Sequence, residues 1–505
     1  MGKQKQLFIN LTASILAFIV NLGIGFFLTP YIIRNIGVEA YGFVSLGSNF
    51  INYASLVTIA LNSMAGRFIT IEIHKNNWDE ANKYFNSVLI ANAIVAILMV
   101  GPSILFTVYI DKIINVPAEI LTDVRILFML LFINYLISIV VSSFGVSTFA
   151  TNKLHLKSLR EIEARIIKAV LLVVLFGFLK PAVSYMGLIA VIITLYITVF
   201  NVYYTKKYLP LIKFRKAYFN TKAVIELISS GIWNTIIKVG QILLEGVDLL
   251  IANLFISATA MGSLALAKTI PTLIVSLIIV IAGVFVPDFT ILYAQNKPLE
   301  LVNSIKRSMK MLGLIINIPV AILVVFGNPF FSLWIPNENP EQLQILAIIT
   351  VATLVISGPI NSIYSVFTVT NKLRTNAIIL LFTGLLNVLI VFFLLNVTNL
   401  GVYAIAGVST VMGIIRNIVF TVPYGAKYLG LKATTFYPEV FKSVLGFTIM
   451  IVVGSILNSF FEVDNWIKLG FLSGMTGIIG ILINSMIILN GDERRYLFRL
   501  VKKLF

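Results

Sequence analysis

The chain has 505 residues, of which 59% are hydrophobic and only 12% charged, with 38 Lys and Arg against 21 Asp and Glu for a net charge of +17. A mean hydropathy of +0.98 is more apolar surface than a soluble core of this size can bury, so lipid must be the main solvent. The absence of cysteine excludes disulfides, thiolate catalysis and thiolate metal sites, and the two histidines, His74 and His155, fall in predicted polar loops, which argues against a metal centre.

A hydrocarbon core about 30 Å thick needs roughly 20 apolar residues per helix. Windows of that length predict membrane helices over 7–33, 40–65, 86–110, 124–150, 162–180, 183–204, 227–255, 260–287, 309–328, 343–369, 375–396, 401–424, 440–461 and 467–490. The first is too long for a signal-peptide core and reads as a retained span. The runs lack the strict alternation of a membrane barrel. The fold class expected is therefore all-α integral membrane, with about fourteen crossings and both termini on one side.

The basic residues set the orientation. The count assigns Arg34, Lys112, Arg125, Lys180 and Lys468 to the ends and loops opposite the termini, Lys238, Lys268 and Arg416 to helix interiors, and the remaining thirty to the side of the termini. That side is expected to be cytoplasmic. The positive charge then follows from topology and from anionic membrane lipid, and needs no nucleic-acid partner.

The longest basic connector, Thr205 to Lys222, separates the sixth and seventh helices. It divides the chain into an N-terminal six-helix lobe (1–208), a connector (209–225), a C-terminal six-helix lobe (226–430), two extra helices (431–490) and a basic tail (491–505). An internal repeat supports the division. Thr151-Asn-Lys-Leu154 recurs as Thr370-Asn-Lys-Leu373, an offset of 219, and Ile36-Gly-Val-Glu-Ala-Tyr-Gly42 aligns with Ile256-Ser-Ala-Thr-Ala-Met-Gly262 at 220. Six helices between equivalent points make this a parallel repeat.

Six polar residues mark the seventh helix: Ser230, Asn234, Lys238, Gln241, Glu245 and Asp248. On an ideal helix they fall within an arc of about 80°. An ionised side chain facing lipid costs at least ~2.5 kcal/mol, so the stripe faces protein or water, either as a polar seam satisfied by neighbours or as a substrate and ion path. Helix two carries Ser45, Ser48, Asn49 and Asn52, with Tyr53 and Ser55 beside them, a set suited to sugar hydroxyls and pyranose faces or, equally, to helix packing. Lys268 and Arg416 lie deeper in the C-terminal half, while the N-terminal half supplies almost no intramembrane charge. Three cations suggest an anionic ligand group such as phosphate; Glu245 and Asp248 suit a coupling proton or sodium ion, or neutralise Lys238 and Lys268 in a purely structural arrangement. No phosphate-binding loop of the Gly-x-x-x-x-Gly-Lys-Ser/Thr type is present, so transport would draw on a gradient rather than ATP. A membrane glycosyltransferase is disfavoured because the outer loops are short and carry no carboxylate pair.

The segment Pro30-Tyr-Ile-Ile-Arg34-Asn-Ile-Gly37-Val-Glu39-Ala-Tyr41-Gly42 resembles the first-helix exit of the polysaccharide transporter (Wzx-type) flippases. Val247-Asp248-Leu-Leu-Ile-Ala is similar to that family's Asp-bearing segment. The resemblance implies two six-helix lobes in a V around a cavity that opens alternately to each side, accepting an oligosaccharide on an undecaprenyl diphosphate carrier. Lys238, Lys268 and Arg416 would hold the diphosphate, Asn49, Asn52, Asn234 and Gln241 would line the substrate path, and Glu245 and Asp248 would couple transport to an ion. No cofactor or metal is implied, and the expected form is a monomer in a bacterial cytoplasmic membrane, with a polysaccharide polymerase or glycosyltransferase as possible partner. Lipid II flippases and cation-coupled drug exporters share the superfamily, the latter disfavoured by the lack of an acid in the first helix.

Overall fold

The computed structural model describes residues 3–370, 372–491 and 493–495. Nineteen α-helices follow one another among them: α1 Lys3–His74, α2 Trp78–Val108, α3 Ile110–Ile113, α4 Leu121–Val141, α5 Val146–Ala150, α6 Leu154–Phe178, α7 Ser184–Tyr208, α8 Thr221–Gln241, α9 Asp248–Phe255, α10 Ala258–Ala267, α11 Thr269–Ala294, α12 Pro298–Trp334, α13 Pro340–Ala352, α14 Leu354–Val369, α15 Leu373–Val397, α16 Val402–Arg416, α17 Val422–Tyr428, α18 Tyr437–Phe460 and α19 Trp466–Ile488. Twelve stretches among the described residues are long and apolar enough to span a bilayer. Two predicted segments account for the difference from fourteen. The stretch Thr12–His74 holds two crossing lengths joined at a kink, and α6 is helical where the fifth span is expected but carries too many charges to qualify on composition.

That kink corrects the sequence reading, which placed a loop over residues 34–39. The helix instead continues through Asn35 and breaks at Gly37 alone, with φ 83° and ψ 165°. Glycine reaches this left-handed region without the steric cost a Cβ imposes. Asn76, Asn152 and Asn296 take positive φ at three further reversals, the non-glycine residue type that best tolerates that conformation.

The repeated Thr-Asn-Lys-Leu segments build the same helix stop twice. Thr151 Oγ1 donates to the Ser147 carbonyl at 2.8 Å and Lys153 N to Thr148 O at 2.8 Å; Thr370 Oγ1 donates to Val366 O at 2.7 Å and Lys372 N to Phe367 O at 2.8 Å. The six-to-one closure ends one helix, and the next begins at Leu154 or Leu373. Asn371 lies outside the described residues, as do residues 492 and 496–505 of the expected basic tail.

The chain forms two compact units, Met1–Ala265 and Leu266–Phe505, so the helices that follow the connector, α8 and α9, stay with the first. In that unit the second arm of α1 packs on α8 through small residues: a Cβ on Gly231 would stand 1.9 Å from the Ala60 carbonyl oxygen. The connector is no free linker. Asn82 Nδ2 donates to Leu211 O at 3.0 Å and its Oδ1 accepts from Lys213 N at 2.7 Å, Asn86 repeats the pattern with Lys213 O and Arg215 N, and the Ser87 hydroxyl bonds both the N–H and the carbonyl of Asn220. Three side chains on one face of α2 thus satisfy an extended backbone, and Asn220 then caps α8 through Lys222 N at 2.8 Å, as N-cap chemistry favours.

In the second unit α12 is the hub, packed against α11, α13, α14, α18 and α19. Fully buried Asn317 on α12 donates to Ser443 O on α18 at 2.8 Å, an interhelical bond of the kind that fixes register where water is absent. The last two helices attach to this unit through α12, with α18 also packed on α14.

Candidate functional site

The seventh predicted span is two α-helices joined by a π-turn at Ile242–Gly246, where Val247 N reaches back to Ile242 O at 2.9 Å. A π-turn inserts one residue into the helical phase, and this overturns the single polar stripe. Ser230, Gln241 and Glu245 are exposed and Lys238 is half-buried, whereas Asp248, beyond the turn, is 1% exposed. Asp248 occupies the first turn of α9, where the positive end of the helix dipole favours a carboxylate.

The turn is held by the second arm of α1. Asn49 Nδ2 donates to the Gly246 carbonyl at 3.0 Å and Tyr53 Oη donates to the same oxygen at 2.6 Å. Tyr53 also lies in the electrostatic field of Asp248. Helix-packing chemistry therefore accounts for Asn49 and for the Tyr53 hydroxyl. Asn52 differs: it is exposed, and among the described residues its side-chain amide makes no hydrogen bond. Ser48 and Ser55 bond back to Val44 O and Asn52 O within their own helix. Asn234 Nδ2 reaches Ser63 Oγ at 3.2 Å.

Lys238 stands seventeen residues into α8, about 25 Å along the axis. It is half-buried, and among the described residues it makes no ion pair or hydrogen bond. The two candidate cations of the second unit also sit at helix irregularities. Lys268 is the joint between α10 and α11, its carbonyl accepting from Thr272 N at 3.0 Å and Thr272 Oγ1 at 2.7 Å. Arg416 ends α16, directly before a second π-turn at Asn417–Thr421. Its Nη2 donates to Asn376 Oδ1 at 3.0 Å, its guanidinium lies 5.4 Å from the centre of the Tyr364 ring, and its buried Nε lacks a hydrogen-bond partner. Tyr364 Oη in turn donates to Asn417 Oδ1 at 2.5 Å. Among the described residues Arg416 is oriented by amide and aromatic groups, without a carboxylate.

Sequence reasoning missed several polar residues. Tyr364, Asn376 and Asn417 are each unremarkable in an apolar run and acquire meaning only around Arg416. Fully buried Asn92 joins Asn62 at 2.8 Å and Ser142 at 3.0 Å. The expectation that the N-terminal half supplies almost no intramembrane charge also needs correction, because α6 carries Arg165 and Lys168 well inside its length. Both lie within the predicted 162–180 span, and that placement was the available signal.

A helical bundle of about a dozen spans, with π-turns in two of them, is the build of an all-α integral membrane protein. The chain belongs to the polysaccharide biosynthesis protein family, whose profile matches residues 7–292. It is 27% identical over 495 residues to the uncharacterized membrane protein EpsK of Bacillus subtilis (strain 168), with 98% of each chain covered. Among solved structures it is similar to the lipid II flippase MurJ in an inward closed conformation, with TM-score 0.64, 15% identity and coverage of 94% of this chain and 97% of that one. It is also similar to an inward-facing multidrug resistance MATE family transporter of the MOP superfamily, with TM-score 0.66, 14% identity, and 84% and 98% covered.

Proposed function

We propose that the protein flips an oligosaccharide carried on undecaprenyl diphosphate from the inner to the outer leaflet of a bacterial cytoplasmic membrane by alternating access, with both termini in the cytoplasm. The observation that carries the reading is Lys238: a half-buried lysine at membrane depth that lacks an acidic partner among the described residues. Such a charge is costly in lipid, and an incoming phosphate would satisfy it. Arg416, oriented by Asn376 and Tyr364, supplies a fork geometry that matches phosphate oxygens. Asn52 and Gln241, exposed and polar, suit the sugar portion, with Lys268 as a further cation, and Asp248 with Glu245 would couple the cycle to an ion. A monomer suffices for this scheme, with a polymerase or glycosyltransferase as the partner that handles the sugar chain.

The test is transport of a fluorescent undecaprenyl-diphosphate oligosaccharide in liposomes containing the purified protein. Flipping that requires protein and falls to background in Lys238→Ala supports the reading. Equal flipping by Lys238→Ala removes the diphosphate site. Absence of flipping together with ion-driven efflux of a cationic dye reassigns the protein to drug export, and flipping restricted to lipid II reassigns the substrate.

A further inference from the structure

The charges of α6 do not balance locally. Glu161 lies 3.8 Å from Lys157, and Glu163 pairs with Arg160 at 2.7 Å and accepts a short hydrogen bond from Tyr196. Arg160 is also stacked over the Phe200 ring at 4.3 Å. Both carboxylates of the helix are therefore engaged at its first turns. Arg165 and Lys168, three residues apart and so on neighbouring positions of one face, make no ion pair or hydrogen bond among the described residues. The charged side chain whose field reaches Lys168 is Arg165, another cation.

Neighbouring elements offer no acid either. Helix α6 packs against α1, α5 and α7, and neither the first arm of α1, up to Val38, nor α5 or α7 contains Asp or Glu. Depth makes this expensive. Lys168 is ten residues, about 15 Å, from the Phe178 end of its helix, which is half the thickness of a hydrocarbon core.

The packing leaves room beside these cations. The first arm of α1 runs alongside α6 in the same direction, since Ser14 meets Ser158 at 3.2 Å and Tyr31 stacks on Phe176 with 6.0 Å between ring centres. Eleven residues, three full turns, separate Ser14 from Gly25, so Gly25 shares the face that meets α6, level with Lys168. Among the described residues no atom beyond the adjoining turns of α1 lies within 4 Å of where a Cβ on Gly25 would stand, and Arg165, in line with buried Ser158, Leu172 and Phe176, is exposed.

We propose that this gap between α1 and α6 is an anion site of its own, in which Lys168 and Arg165 receive the phosphate-bearing head of the transported lipid at mid-membrane. The assignment rests on the flippase reading above for the identity of that lipid and adds a binding station on the fifth span.

The measurement is binding of farnesyl diphosphate to the full-length protein in nanodiscs. Lys168→Ala is expected to weaken binding about tenfold, the loss of one charge-assisted contact, while Lys168→Arg retains it. Gly25→Leu, which fills the gap without altering charge, is expected to weaken it as well. Wild-type affinity in Lys168→Ala at normal protein levels overturns the site. So does displacement of the probe by phosphatidylglycerol at matched concentration, which would mark an ordinary phospholipid contact. Oligosaccharide flipping by the wild type separates the two readings. Lys168-dependent binding without flipping leaves the site and removes the substrate assignment; flipping with Lys168-independent binding does the reverse.

Discussion

Gly42 and Gly262 touch backbone to backbone: a Cβ on Gly42 would stand 2.8 Å from the Gly262 Cα, and one on Gly262 only 2.5 Å from the Val38 carbonyl oxygen. These glycines occupy equivalent positions in the two aligned repeat segments, as do Glu39 and Thr259, 220 residues apart, which share a hydrogen bond. Residues that the sequence repeat aligns are thus also in direct contact within the first unit.

Substitution there should be costly. Gly262→Ala is expected to lower stability by about 2 kcal/mol, the range for overpacking against a rigid backbone. Gly407→Ala, with nothing within 4 Å of its Cβ position, should be neutral or slightly stabilising. Thermal unfolding of both variants in detergent checks the contrast.

The Gly246 carbonyl receives two donors, and the loss of one should be partly compensated by the other. Asn49→Ala and Tyr53→Phe are each expected to cost about 1 kcal/mol, and the double variant more than their sum, because a membrane-buried carbonyl would then be left unpaired. A double-mutant cycle on thermal stability measures the coupling, and simple additivity would refute a shared acceptor.

Asp248 lies just past the same turn. Asp248→Asn is expected to preserve fold and substrate binding while changing how transport depends on a proton or sodium gradient. Flipping assayed under imposed gradients reads this directly, and an unchanged dependence assigns Asp248 to structure.

Lys310, 6% exposed, pairs with Glu493 through both carboxylate oxygens at 2.9 and 3.0 Å. Burial pushes the Glu493 carboxyl up, but the Asn490 N–H, Lys310 and Arg307 outweigh it and hold the group below the usual carboxylate range. A depressed native pKa stabilises the fold at pH values above the ordinary glutamate pKa, and that contribution disappears as pH falls through the lower native value. Glu493→Gln should therefore flatten the acid limb of the stability profile and cost about 3 kcal/mol at neutral pH by leaving a buried ammonium uncompensated.

The positions of the helices were legible because membrane insertion is decided segment by segment. Each of the fourteen apolar windows coincides with helix, and the two Thr-Asn-Lys-Leu stops are local hydrogen-bond devices that any chain with those residues can form. Gly37 was visible too, although as part of a loop rather than as the single hinge residue. The site was less legible. The polar stripe assumed 100° per residue through position 248, and the π-turn at Ile242–Gly246 broke that phase.

Composition and spacing by themselves determined the membrane class, the positions of the apolar helical segments, the charge bias and the repeat, since all depend on transfer of short segments from water to lipid and on local turn chemistry. Tertiary structure decided where the helices are interrupted and which polar groups remain unmatched. A π-turn survives when a neighbouring helix supplies donors to its freed carbonyl, as Asn49 and Tyr53 do for Gly246. Among the described residues Lys168 has no ion-pair partner because the helices packed around it bring no acid, a fact that belongs to the assembled neighbours rather than to any one segment.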